Sequence, residues 1–111
     1  MADFKKMNEE PIEYGGYQLF FYKTKYAYDK TLAIVCETDL GEPYATVSLN
    51  LGDHGYFPMP NEIFFDHNLP RAFKDMLCER FCDCNLSSCD EVTFGPYNTQ
   101  TERVTILGKY L

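Results

Sequence analysis

From Tyr44 the chain alternates: Ala45, Val47, Leu49 and Leu51 share one parity, and Tyr44, Thr46, Ser48 and Asn50 share the other. A period of two marks a strand with one buried and one wet face. Upstream, Leu32 to Cys36 (LAIVC) is a nearly continuous apolar run, the pattern of a strand covered on both faces. Between the two runs, Gly41 can take a positive φ and Pro43 presets its own. The stretch from Thr31 to Leu51 therefore predicts a hairpin. Pairing begins at Tyr44, because Pro43 has no N–H to give a ladder.

A further strand is expected from Tyr17 to Lys25, after Gly15 and Gly16. There Tyr17, Leu19 and Phe21 alternate with Gln18, Phe20 and Tyr22, and both sets are largely apolar. Periodicity alone leaves the buried face open. Glu62 to Asp66 (EIFFD) reads as a short edge strand, and Val92 to Phe94 and Arg103 to Leu107 read as extended. Leu69, Phe73, Met76, Leu77 and Phe81 fall at offsets of four, seven, eight and twelve, an amphipathic stripe. The helix is expected over Pro70 to Phe81, with Asn68 or its neighbour as cap and Pro70 in the first turn. Together these elements predict an α+β fold: an antiparallel sheet of four to five strands with one helix packed on one face. Residues 1–12 carry charges with few apolar anchors and read as a flexible N-terminal arm. Residues 13–111 then form a single α+β domain.

Composition sharpens this picture. The chain has 111 residues, and its aromatic share of 16% comes wholly from nine Tyr and nine Phe, residues that favour strands. No apolar run approaches the roughly 18 residues of a membrane span. The start, MADFKKMNEE, lacks the apolar segment of an export signal. A cytoplasmic protein is expected. The net charge is −7 and uneven: residues 31–60 carry four acids and no base, and residues 61–90 six acids against three bases. A nucleic-acid binder needs a basic footprint, so direct nucleic-acid binding is not expected. An acidic surface instead suits a protein partner of basic character.

The loop Gly52 to Asn61 (GDHGYFPMPN) carries Tyr56, Phe57 and Met59, which a loop does not need for solubility. These side chains either fold back to cap the core, which is the expectation, or form an exposed apolar ridge. Either way the loop is the candidate partner-binding element, because loops on rigid scaffolds carry function disproportionately. Cys78, Cys82, Cys84 and Cys89 form the one metal-like constellation, with spacing C-x3-C-x-C-x4-C. Four thiolates can hold zinc, but this is not the paired C-x2-C of ribbons and fingers. Cys78 and Cys82 lie one helical turn apart; Cys84 points elsewhere unless the helix ends near Phe81. Five reduced thiols, several serving as small hydrophobes, are the expectation, with Cys36 in the core. His54 and His67 each follow an aspartate, and these pairs read as chance neighbours. No nucleophile elbow, phosphate loop, zinc-protease or dinucleotide motif occurs.

The segment from Leu32 through Asn68 resembles a family of small acidic proteins of unknown function, encoded on integrative and conjugative elements and on phages of gut Firmicutes. The likeness is carried by Gly41-Glu42-Pro43-Tyr44-Ala45-Thr46-Val47 and by Asn50-Leu51. At Asn61 to Asn68 the family has an E-x-F-I-K-D-Y-x-E-N kind of segment, in which Asp66 and Asn68 fit and the lysine is absent. The aromatic strand and the cysteines fall outside the likeness. The resemblance implies an accessory protein of a mobile element and brings no catalytic residues.

The sequence thus leads to a non-enzymatic interaction protein. Its contact surface is expected at Tyr56, Phe57, Met59, Glu42 and Asp53. A sharper version is an anti-defence inhibitor that mimics nucleic acid and occupies a basic channel of a host nuclease. No cofactor is expected; the alternative is a small zinc-binding protein using Cys78, Cys82, Cys84 and Cys89. No membrane partner is expected, and the chain is a monomer or a homodimer paired through an edge strand.

Overall fold

The computed structural model describes residues 4–111 and has the expected antiparallel α+β class, with its strands divided over two sheets. The first sheet contains β1 (Lys5–Lys6), β2 (Ile12–Tyr14), β3 (Tyr17–Lys25), β4 (Leu32–Thr38) and β5 (Pro43–Thr46). Its order is β1-β3-β4-β5, with β2 also paired to β3. The second contains β6 (Ser48–Leu49), β7 (Glu62–Phe65), β8 (Asp90–Phe94) and β9 (Thr99–Thr105), in the order β6-β7-β9-β8. The helix, α1, spans Arg71–Phe81. It is too short to cross a membrane, as is every described helix.

The single strand expected from Tyr44 to Leu51 is interrupted at Val47. Ala45 and Thr46 still pair with Cys36 and Val35 of β4. The Val47 N–H then donates to the Ile34 carbonyl (3.1 Å), while the Val47 carbonyl accepts from the Asp66 N–H (2.8 Å). At Ser48 the chain has joined β7, opposite Phe65. Ser48 is consequently buried, although its parity predicted exposure. Its hydroxyl accepts the Ile34 N–H (3.0 Å) and meets the Tyr26 hydroxyl (2.9 Å), which satisfies polar groups where one ladder gives way to the other.

The core lies where both sheets and α1 meet. On β3 the odd parity wins: Leu19 and Phe21 are fully buried. Phe73 packs edge-on to Tyr14 (4.9 Å) and lies 6.1 Å from Phe21; Phe81 packs on Phe21 (5.2 Å) and Tyr110 (4.8 Å). Ile63, Phe65, Val104 and Ile106 bring the second sheet into the same cluster. The expected helix stripe is present, with Leu69 and Met76 only partly buried against the core. Lys74 is buried too, which the stripe did not predict; its ammonium pairs with the Glu102 carboxylate at 2.8 Å.

Two local expectations are corrected. Of the arm expected over residues 1–12, Lys5 to Asn8 and Ile12 are docked on β3, while Phe4 and Glu9 to Pro11 are exposed. Lys5 and Lys6 pair with Lys23 and Tyr22, and the Met7 N–H donates to the Phe21 carbonyl (2.7 Å). The Asn8 side chain accepts from the Phe21 N–H (2.8 Å) and donates to the Leu19 carbonyl (3.1 Å), continuing the ladder with an amide group. Residues 1–3 of the expected arm lie outside the described residues. At the helix start, Pro70 itself occupies the cap position, without a side-chain cap. Asn68 instead donates its N–H to the Asp66 carboxylate (2.9 Å), forming the turn that precedes α1.

Candidate functional site

The loop after β6 begins as a short 3-10 turn, Gly52–His54, closed by Gly55 at φ 83°. Tyr56 then folds back. Its ring packs 6.1 Å from Phe64, and its hydroxyl donates to the Thr93 carbonyl (2.8 Å). Phe64 lies on the face of β7 opposite Ile63 and Phe65, so Tyr56 covers the back of the second sheet. The other end of the loop is fixed by Glu62, whose carboxylate accepts the Met59 N–H (2.9 Å) and whose own N–H donates to the Met59 carbonyl (2.9 Å).

Between these anchors runs a strap, Phe57-Pro58-Met59-Pro60. The capping expectation holds for Tyr56 alone: Phe57 is 64% exposed and Met59 63%. Pro58 and Pro60 remove two N–H donors and stiffen the strap. Other exposed large side chains, such as Tyr28, Leu40 and Tyr97, stand on separate turns. Singly exposed apolar residues are ordinary, whereas two on one pinned strap make a ridge.

Asp53 lies in the 3-10 turn that precedes the strap in the same loop. Glu42 does not. The loop start adjoins the β3–β4 turn, where the Asn50 amide donates to the Asp29 carboxylate (3.0 Å). Glu42 belongs to the turn at the opposite end of β4, where its N–H points to the Thr38 hydroxyl (3.3 Å). The length of β4, roughly 20 Å at about 3.3 Å per residue, separates them. Of the five residues expected to form one surface, Tyr56, Phe57, Met59 and Asp53 share one loop, with Tyr56 turned onto Phe64, and Glu42 lies apart. The acids of the middle segment are spread likewise over the β4–β5 turn, the 3-10 turn, α1 and β8.

What lies beside the strap is basic. Since successive side chains of a strand alternate faces, Lys23 and Lys25 continue the parity of Leu19 and Phe21. They line a groove of about 890 Å³ together with Lys5, Lys30 and the two strap prolines. Neither lysine was singled out from the sequence, because both parities of β3 are apolar and the buried face was open. The Lys-x-Lys run at the end of that strand was the available signal.

The four cysteines do come together. Cys82 follows the last residue of α1 and donates its N–H to the Cys78 carbonyl (3.2 Å). The short 3-10 turn Leu86–Ser88 then brings Cys89 back to Cys84, Sγ to Sγ 2.9 Å. The Cys78 thiol is held below its usual range, first by a hydrogen bond from Cys82 and next, against desolvation, by one from Cys89. Cys82 is pushed up, first because it donates to Cys78 and then by burial. Burial, followed by the contact with Cys84, raises Cys89. Cys36 is separate, buried in β4 and pushed up to about 12 by desolvation. Among the described residues no three His, Cys, Asp or Glu side chains are arranged to hold a metal ion. Two sulfurs on one tetrahedral zinc lie about 3.8 Å apart, given Zn–S near 2.3 Å. Zinc would require Cys84 and Cys89 to separate from their present 2.9 Å.

Both histidines pack on one ring. The His54 and His67 rings lie 5.3 and 5.7 Å from that of Phe94.

The chain matches no protein-family model, and it matches neither a curated protein nor a solved structure.

Proposed function

We propose that this chain is a cytoplasmic, non-enzymatic interaction protein that engages a protein partner through the strap Phe57-Pro58-Met59-Pro60. The observation that carries the reading is the exposure of Phe57 and Met59 on a segment fixed at both ends by Tyr56 and Glu62. Presenting two large apolar side chains on a rigid strap lowers the ordering cost of association. Aromatic and Met side chains are also those enriched at the centres of interfaces. The likeness of Gly41–Val47 to mobile-element proteins suggests an accessory role in such an element. The nucleic-acid-mimic version has less support, because the exposed acids are distributed over separate elements.

The test is capture from host lysate with the parent chain and with Phe57→Ser/Met59→Ser. Loss of a captured protein in the double variant is the expected result. Capture that is indifferent to both substitutions would remove the strap from the account.

The proximity of the four thiols favours a second reading, a small zinc-binding protein built on Cys78, Cys82, Cys84 and Cys89. Binding would draw Cys84 and Cys89 apart and recruit the Cys78 thiolate. One zinc per chain in purified protein, lost in Cys84→Ser/Cys89→Ser, is what this reading requires. Metal-free protein of full stability excludes it.

A further inference from the structure

The groove beside the strap adds a chemistry that net charge conceals. Although the chain carries −7, four of its ten bases, Lys5, Lys23, Lys25 and Lys30, line this one concavity. Lys5 and Lys23 stand directly opposite each other across β1 and β3. Like charges in that position are destabilising unless a counter-charge is near. The Lys23 ammonium donates to the Tyr110 carbonyl (2.7 Å), which holds it at the groove rather than in free solvent. Among the described residues none of the four lysines forms an ion pair. Two acidic groups lie in the lining: the Asp29 side chain, already engaged by the Thr31 hydroxyl and N–H and by the Asn50 amide, and the terminal carboxylate of Leu111, which stands within 4 Å of none of the four lysines.

We infer that the groove binds an acidic peptide segment of a protein partner, with carboxylates on the lysines and an apolar side chain against the strap. This rests on the interaction reading above and names the partner's chemistry. The walls support a peptide. Pro58, Pro60 and Leu32 offer apolar surface beside the ammonium groups, and the exposed Phe57 and Met59 alternate in the chain with the two lining prolines. Lysine ammonium groups are mobile point donors suited to carboxylates at several spacings. A long polyanion is disfavoured, because beyond the groove it meets a surface of net negative charge. Base stacking is disfavoured as well, since the Tyr26 ring is held by its hydroxyl on Ser48.

The test uses the full chain and a short fluorescent peptide in which Glu alternates with Leu. The control peptide carries Gln for Glu, and binding is read by anisotropy at low and high salt. Expected is binding of the Glu peptide alone, weakened by salt and by about tenfold or more in Lys5→Gln/Lys25→Gln. Phe57→Ser weakens it further. Equal binding of the Gln peptide, no binding of either, or insensitivity to the lysine substitutions overturns the inference. Tripolyphosphate competing as tightly as the peptide also overturns it, in favour of a small phosphate ligand. If the peptide fails while Phe57→Ser/Met59→Ser still abolishes lysate capture, this inference falls and the interaction reading stands. If both fail, both fall.

Discussion

The inward face of β3 has two ends. At Leu19 and Phe21 it is sealed: both side chains are fully buried, and Phe73 and Phe81 of α1 close over Phe21. Two residues further, the same face carries Lys23 and then exposed Lys25, and the helix no longer covers it. Its cover there is the strap with Pro58 and Pro60. One strand thus serves two purposes along a single parity. Its first half is fixed by packing, where apolar volume decides. Its second half extends past the core, where Lys23 is tied to the Tyr110 carbonyl (2.7 Å) and Lys25 is exposed.

The predictions test that division in order of size. Phe73→Ala should cost about 3–5 kcal/mol, the range for an aromatic removed from a well-packed core, read as a lower urea midpoint. Loss of only about 0.5 kcal/mol would mean that α1 does not seal the Phe21 end.

Lys74 offers a contrast within the residue type. It is buried and paired with Glu102 at 2.8 Å, so its role is structural. Lys74→Ala should cost about 2 kcal/mol in urea denaturation, below the range for a fully enclosed pair because the Glu102 carboxylate is partly open.

Ser48→Ala should cost about 1–2 kcal/mol, because the Ile34 N–H and the Tyr26 hydroxyl lose their shared partner. A neutral result would show that the sheets hold together without it. Phe57→Ser/Met59→Ser should stay within about 0.5 kcal/mol of the parent, since neither side chain is buried.

The smallest effect concerns acid. The Asp29 carboxyl is held below its usual range, first by the Thr31 hydroxyl and then by the Thr31 N–H. A depressed folded value means stability that is present above the ordinary Asp range and is lost as pH falls through the folded value. Asp29→Asn should flatten that part of the acid limb in a pH series of melting curves.

Much of the fold was legible from particular residues. Alternation identified Val47 as core and Leu51 as buried, but not that Leu49 would stand opposite Phe64 on the back of the second sheet; spacing identified Phe73, Leu77 and Phe81 as the helix stripe. Ser48 was not legible, because its burial comes from a strand changing sheets, which no local pattern records. Asn8 escaped for a similar reason: its amide replaces a backbone partner only when β3 is alongside. On β3 both parities are largely apolar from Tyr17 to Tyr22, so the buried one, Leu19 and Phe21, was not legible. In the cysteine cluster, spacing gave Cys78 and Cys82 as neighbours. It missed the return of Cys89 to Cys84, which depends on the intervening 3-10 turn. Among the site residues, Tyr56, Phe57, Met59 and Asp53 were grouped by chain proximity, and Glu42 was misplaced because charge alone says nothing about which end of a hairpin it occupies.

The claim that the basic end of β3 is reserved for recognition is tested most directly by the urea denaturation of Lys5→Gln/Lys25→Gln. This variant removes two groove charges and leaves the Lys23 bond to Tyr110 intact. An unchanged or higher midpoint is predicted, because Lys5 no longer opposes Lys23 and nothing buried is lost. A loss of about 2 kcal/mol or more would contradict the account, since lysines that hold the fold together are not free to serve a partner.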